Sequence, residues 1–248
     1  MQTTESEVPT TSESAPTTSI GTTEPASSST TGEPSDSTGA AATANTTGTP
    51  SECGNAVLEP GEECDDGPGD ALDGCDSSCK RSALFVFVTS QVFVGSNLSL
   101  ATAQGECETL GAVALGPQFA PSFGAWFSAA GLGNSAAETL QNPNKLPYLR
   151  LDHAQVSAYP LGPDLFLPIS VDETGADASS VGEGCANPDA LVWTMSTPKG
   201  ALATECAGNT RNKGTVGTLN AAGPEWSQAC IYDCAIDARL YCVETIIP

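Results

Sequence analysis

Ten cysteines carry the clearest chemistry in this chain: Cys53, Cys64, Cys75, Cys79, Cys107, Cys185, Cys206, Cys230, Cys234 and Cys242. An even number, with none in the first 52 residues, suits disulfides formed in an oxidising compartment. A metal reading is weaker, because the chain has one histidine, His153, and lacks the paired short knuckles of a structural zinc site. Between Cys53 and Cys79 lie eight acids in 27 residues. Glu62, Glu63, Asp65, Asp66, Asp70 and Asp73 among them are hard oxygen donors of the kind calcium takes in extracellular modules, with Asp65, Asp66, Asp70 and Asp73 the candidate ligands. Their spacing does not match the helix-loop-helix calcium motif, and a solvated acidic loop between disulfides is the competing reading.

Catalysis would need a nucleophile beside a base, a metal set or a carboxylate pair. His153, in Leu151-Asp152-His153-Ala154, reads as an exposed turn histidine. Asp172 and Glu173 are adjacent on an extended segment, where neighbouring side chains point to opposite faces. Gly131-Leu132-Gly133 lacks the lysine and the strand-to-helix context of a phosphate loop. Trp126, Trp193 and Trp226 read as core rather than as a ligand platform. No enzyme is expected.

The elements that must hold these residues divide the chain in three. Residues 1–52 are Thr, Ser, Pro, Glu, Gly and Ala with seven acids and no Lys or Arg, too few apolar groups to offset chain entropy, so a disordered stalk or tail is expected. Residues 53–82 are too short and too poor in apolar groups to fold on a core alone, and two internal disulfides are expected, in any of three pairings. Residues 83–248 have the composition of a globular domain. Ala83 to Ser90, ALFVFVTS, reads as a central strand. Leu100, Ala103, Cys107, Leu110 and Ala114 form the stripe of an amphipathic helix capped by Ser99. Ser135 to Glu138 is a capping-box pattern for a second, short helix. The stretches LPYLRLD, ALVWTM and ARLYCVE read as strands between Gly-, Pro- and Asn-rich loops, giving an α+β domain.

The net charge of −22, from 30 acids and 8 bases, repels phosphate backbones and anionic lipid surfaces and makes nucleic acid a poor partner. No stretch approaches the roughly 20 apolar residues of a membrane span. Met1-Gln2-Thr3-Thr4-Glu5 lacks the basic and apolar regions of a signal peptide, so an export signal, with any lipid tether, is expected upstream of Met1. The expected location is extracellular or at the cell surface.

CGNAVLEPGEECDD followed by DGCDSSC resembles the short cysteine-rich repeat of many myxobacterial-type surface and secreted proteins, carried by Gly54, Asn55, Gly61, Glu62, Cys64, Asp65, Asp66 and Gly67. Pro68 and Leu72-Asp73 depart from that family, where Asn and Gly-Asp are usual. From Ala83 to Glu244 the order of LFVFVTS, Cys107, GAWFS, LPYLRLD, LFLPI, LVWT, Cys206, Trp226 and LYCVE resembles the bacterial endostatin-like surface domain, a variant of the C-type-lectin-like fold. That resemblance implies a first helix beside the last strand and a Cys107 to Cys242 bridge around a nested Cys206 pair. The outer loop, about 135 residues, is worth about 5 kcal/mol in a chain-entropy treatment. Cys206 is expected to take Cys230 or Cys234, and Cys185 the other.

Two ligand functions of related proteins do not carry over. Endostatin's histidine zinc site has no counterpart beyond His153, and its heparin face has only Arg150, Arg211 and Arg239 beside three lysines here. Asn187-Pro188-Asp189 is the nearest text to a sugar-binding calcium motif, without the Trp-Asn-Asp that should follow. The resemblance therefore implies a non-catalytic surface binding, adhesion or structural protein with an unidentified protein or glycan ligand. A calcium-dependent carbohydrate binder is the alternative, and a hydrolase with dispersed residues the second.

Overall fold

β1, Leu84–Val88, is a run of five residues whose side chains are all buried, as a strand covered on both faces requires. Phe85 and Phe87 enter one apolar cluster while Leu84, Val86 and Val88 enter the other. The computed structural model describes residues 52–65, 67, 74–116, 123–179, 184–206 and 212–246. The Thr/Ser-rich stretch through residue 51, Asp66, Asp70, Asp73 and Arg211 lie outside them, so the stalk and three of the four calcium candidates do too.

The remaining strands are β2 (Phe93–Val94), β3 (Phe123–Ala125), β4 (Tyr148–Arg150), β5 (Gln155–Ser157), β6 (Leu191–Trp193), β7 (Lys213–Thr218), β8 (Cys230–Asp233) and β9 (Asp237–Glu244). They form a nine-stranded sheet in the order β5-β4-β1-β9-β6-β7-β8, with β2 and β3 also on β9. β9 is the spine. Cys242 and Val243 lie opposite β1 on one edge and β3 on the other, and Arg239 and Leu240 run parallel to β6.

Among the described residues two α-helices complete the mixed α+β architecture. α1, Leu100–Leu115, starts where Ser99 Oγ accepts the Thr102 N–H at 3.1 Å, and it buries Ala103, Cys107 and Leu110. α2, Ala136–Thr139, is one turn, and the Glu138 carboxylate accepts the Ser135 N–H at 3.2 Å. The helical stripe and both caps match the sequence pattern. No helix among the described residues is long and apolar enough to cross a membrane.

Five disulfides staple this frame: Cys53–Cys79, Cys64–Cys75, Cys107–Cys242, Cys185–Cys230 and Cys206–Cys234. Cys107–Cys242 ties α1 to the spine across 135 residues, the pairing that the resemblance implies, and contributes about 5 kcal/mol by restricting the unfolded chain. Cys206 takes Cys234, and Cys185 takes Cys230. All ten cysteines are bonded, which fits an oxidising environment.

The cysteine-rich segment and the sheet belong to one compact unit, Gly48–Pro248. Arg81 reaches the Glu244 carboxylate at 2.5 Å, and that carboxylate also accepts the Phe85 N–H at 3.0 Å. Both partners are largely sequestered, with side-chain exposures of 10% and 1%. Burial pushes the Glu244 carboxyl above its ordinary range, against the pull of Arg81 and the Phe85 N–H.

Candidate binding surface

Asp65 was a candidate calcium ligand, and its carboxylate is already fully occupied. Oδ2 accepts the N–H groups of Gly54 at 2.9 Å and Asn55 at 3.2 Å, and Oδ1 those of Ala56 and Gly67, each at 2.9 Å. Burial acts to raise this carboxyl, but the four N–H donors prevail and hold it below the usual range. Asp65 organises a backbone turn and does not fit a cation ligand. Glu62 and Cys79 lie close to it, but Cys79 sulfur is bonded to Cys53 and offers no thiolate.

The other singled-out residues are similarly dispersed. His153 sits exposed in a turn at φ 63°, edge-on to Phe85 with ring centroids 6.0 Å apart. Asp172 accepts the Thr174 and Ala176 N–H groups, whereas Glu173 accepts from the Ser90 N–H and hydroxyl, so the adjacent acids serve separate turns. Asn187 Oδ1 accepts the Asp189 N–H at 3.1 Å, which uses that oxygen to cap its own short turn. Arg150 is paired with Asp152 at 2.6 Å, and Arg239 donates to Thr89 O at 2.6 Å. Trp126, Trp193 and Trp226 are buried, Trp193 and Trp226 as the core residues read from the sequence, whereas Trp126 also lines a cleft.

Around Trp126 the buried polar groups satisfy one another. Its indole N–H donates to Ser227 Oγ at 2.8 Å, Thr194 donates to Ser227 O at 2.6 Å, and the Ser128 and Ser196 hydroxyls meet at 2.8 Å. Ser128 Oγ also accepts the Ala136 N–H at 2.9 Å and so fixes α2. Among the described residues none of these serines is hydrogen-bonded to a histidine, carboxylate or amine that would activate it. The network orients a ring; it does not assemble a nucleophile.

That ring floors an open cleft of about 380 Å³. Tyr148 and Val243 come from β4 and β9, Trp126 from just past β3, Ala137 and Leu140 from α2 and its end, and the segment Tyr159 to Pro163 forms the far wall. Trp226 stands behind Trp126, centroids 4.9 Å apart, and its indole N–H pins the wall through Gly162 O at 2.9 Å. Burial pushes the Tyr148 phenol up, with its Asn142 hydrogen bond opposing, so the floor is uncharged at neutral pH.

Among the described residues of the lining, Lys199 alone is charged. It stands on the turn from Thr197 to Gly200, closed by Gly200 N–H to Thr197 O at 2.9 Å and docked on α2 by Ala137 N–H to Gly200 O at 3.2 Å. Gly200 is at φ 75°, and a Cβ there would lie 2.7 Å from Ala137 N, so only glycine lets this turn sit so close to the helix.

The wall segment also turns apolar groups outward. Leu161 and Leu165 anchor it in the core, while Tyr159, Phe166 and Leu167 are 43%, 61% and 41% exposed. A second cavity, about 340 Å³, opens beside α1 near Phe127 and Met195, but it holds the acid Glu205 and is flanked by Cys206. The sequence reading missed the first cleft because no motif marks it: its walls come from separate stretches that meet only in the fold. The one local signal was Tyr159 to Pro168, a run rich in proline and large apolar residues with a single charge, Asp164.

No protein-family model matches this chain, and no curated protein is detectably similar to it in sequence.

Proposed function

We propose that this protein is a non-catalytic extracellular or cell-surface binding module of the C-type-lectin-like, endostatin-like kind, and that it engages its ligand at the Trp126 cleft and the adjoining Tyr159 to Pro168 segment. The observation that carries the reading is the cleft itself: a preformed apolar concavity with a fixed aromatic floor, next to outward-turned apolar side chains. The antiparallel pairing of the first and last strands, α1 bonded to β9 and the nested Cys206–Cys234 bridge support the fold assignment. Five disulfides support life outside a reducing cytosol.

Beads coated with the oxidised full chain, tested against arrayed purified extracellular proteins and glycans with and without calcium, examine this directly. The expected result is retention on a subset of spots that survives chelation and is lost in a Tyr159→Ser, Phe166→Ser double variant. Retention that the double variant keeps, or that requires calcium, contradicts the reading.

A further inference from the structure

The chemistry of the cleft narrows what it can hold. In a chain with 30 acids and 8 bases, the described lining of the cleft has no carboxylate and one ammonium, against the acidic balance of the chain. The described bases elsewhere are mostly engaged: Lys80 with Glu63, Arg81 with Glu244, Arg150 with Asp152. Lys199 has no ion-pair partner among the described residues, and its turn is held at the rim by the Gly200 contact with α2. We infer that the cleft binds small apolar monocarboxylates, an alkyl or aryl group lying on Trp126 with its carboxylate at Lys199.

This inference rests on the reading of the cleft as a ligand seat and adds the ligand's class to it. The volume, about 380 Å³, lies at the small end of ligand pockets and suits a chain or ring of about ten heavy atoms. Charge argues for a small anion over an acidic protein segment. Against a chain of net charge −22 a large acidic partner meets net repulsion, whereas one carboxylate meets little beyond a screening length of about 8 Å. The stem of the lysine adds apolar surface along the rim, so its charge can meet a carboxylate without being buried.

Calorimetric titration of the oxidised full chain with octanoate and with its neutral isostere octanamide tests the inference. Octanoate is expected to bind at one site about fivefold more tightly than octanamide, the scale of a part-exposed ion pair. That preference is expected to fall to about one in Lys199→Met and to persist in Lys145→Met, which removes the same charge from a lysine outside the cleft. Equal affinities for the two probes in the unaltered chain would overturn the carboxylate assignment and leave the cleft as a seat for neutral ligands. Absence of saturable binding by either probe would overturn the seat itself. A preference that survives Lys199→Met would move the anion contact elsewhere and equally overturn the inference.

Discussion

Asp65 shows how little a residue type alone says about its partners. Its place in an acid-rich, cysteine-bounded segment made it a calcium candidate, but nothing in the spacing reveals that four backbone N–H groups converge on it. The sign of its pH dependence follows from its lowered pKa. Above the ordinary carboxylate range the ion is present and its stabilisation is complete; as pH falls through its depressed folded-state value that stabilisation is lost. In Asp65→Asn the NH2 end faces one of the two pairs of backbone donors, so hydrogen-exchange protection of either the Gly54 and Asn55 or the Ala56 and Gly67 amides is expected to drop about tenfold at neutral pH and to lose its acid transition. Unchanged protection would mean that the carboxylate is not what organises the turn.

At the scale of elements, legibility followed burial. β1, α1, β4, β6 and β9 were readable because their apolar side chains recur at strand or helix spacing. β7, KGTVGT, was not, since Gly214 and Gly217 remove the side chains that would have given it an alternating pattern. The fold explains both glycines: a Cβ on Gly214 would lie 2.7 Å from Cys206 Sγ and from the Met195 side chain, and one on Gly217 would come within 1.8 Å of Trp226 O. Gly217→Ala is therefore expected to force β7 away from the turn that carries Trp226 and to cost about 3 kcal/mol in urea unfolding. A cost under about 0.5 kcal/mol, the usual range of a neutral surface change, would contradict that packing. The short strands β2, β5 and β8 escaped notice for another reason: each is held by a neighbour or a disulfide, not by its own propensity.

Across the whole molecule, the cysteine-rich segment is joined to the spine by the buried Arg81–Glu244 pair. Removing one partner leaves a sequestered charge, so Arg81→Met is expected to destabilise the chain by about 3 kcal/mol. Because burial raises the Glu244 carboxyl, the native state holds that proton more tightly than the unfolded chain does above the ordinary carboxylate range. Stability therefore declines as pH rises through this window, and without Arg81 the decline steepens. Denaturant midpoints measured from about pH 4 to pH 8 in both forms check the sign. Parallel curves for the two would show that the pair is not sequestered.

The cleft was the least legible feature in the sequence because it exists only once β3, α2, β4, β9 and two loops are assembled. Its chain supplies built-in reporters. Trp126 floors the cleft, Trp226 packs against it at a tilt of 45°, and Trp193 lies in the opposite cluster with its indole N–H on Phe93 O. The three indole N–H resonances, followed during titration with octanoate and octanamide, test the binding-module account most directly. It predicts a saturable shift that is largest for Trp126, smaller for Trp226 and absent for Trp193. A dominant Trp193 shift, or three unmoved resonances at saturating probe, would contradict it.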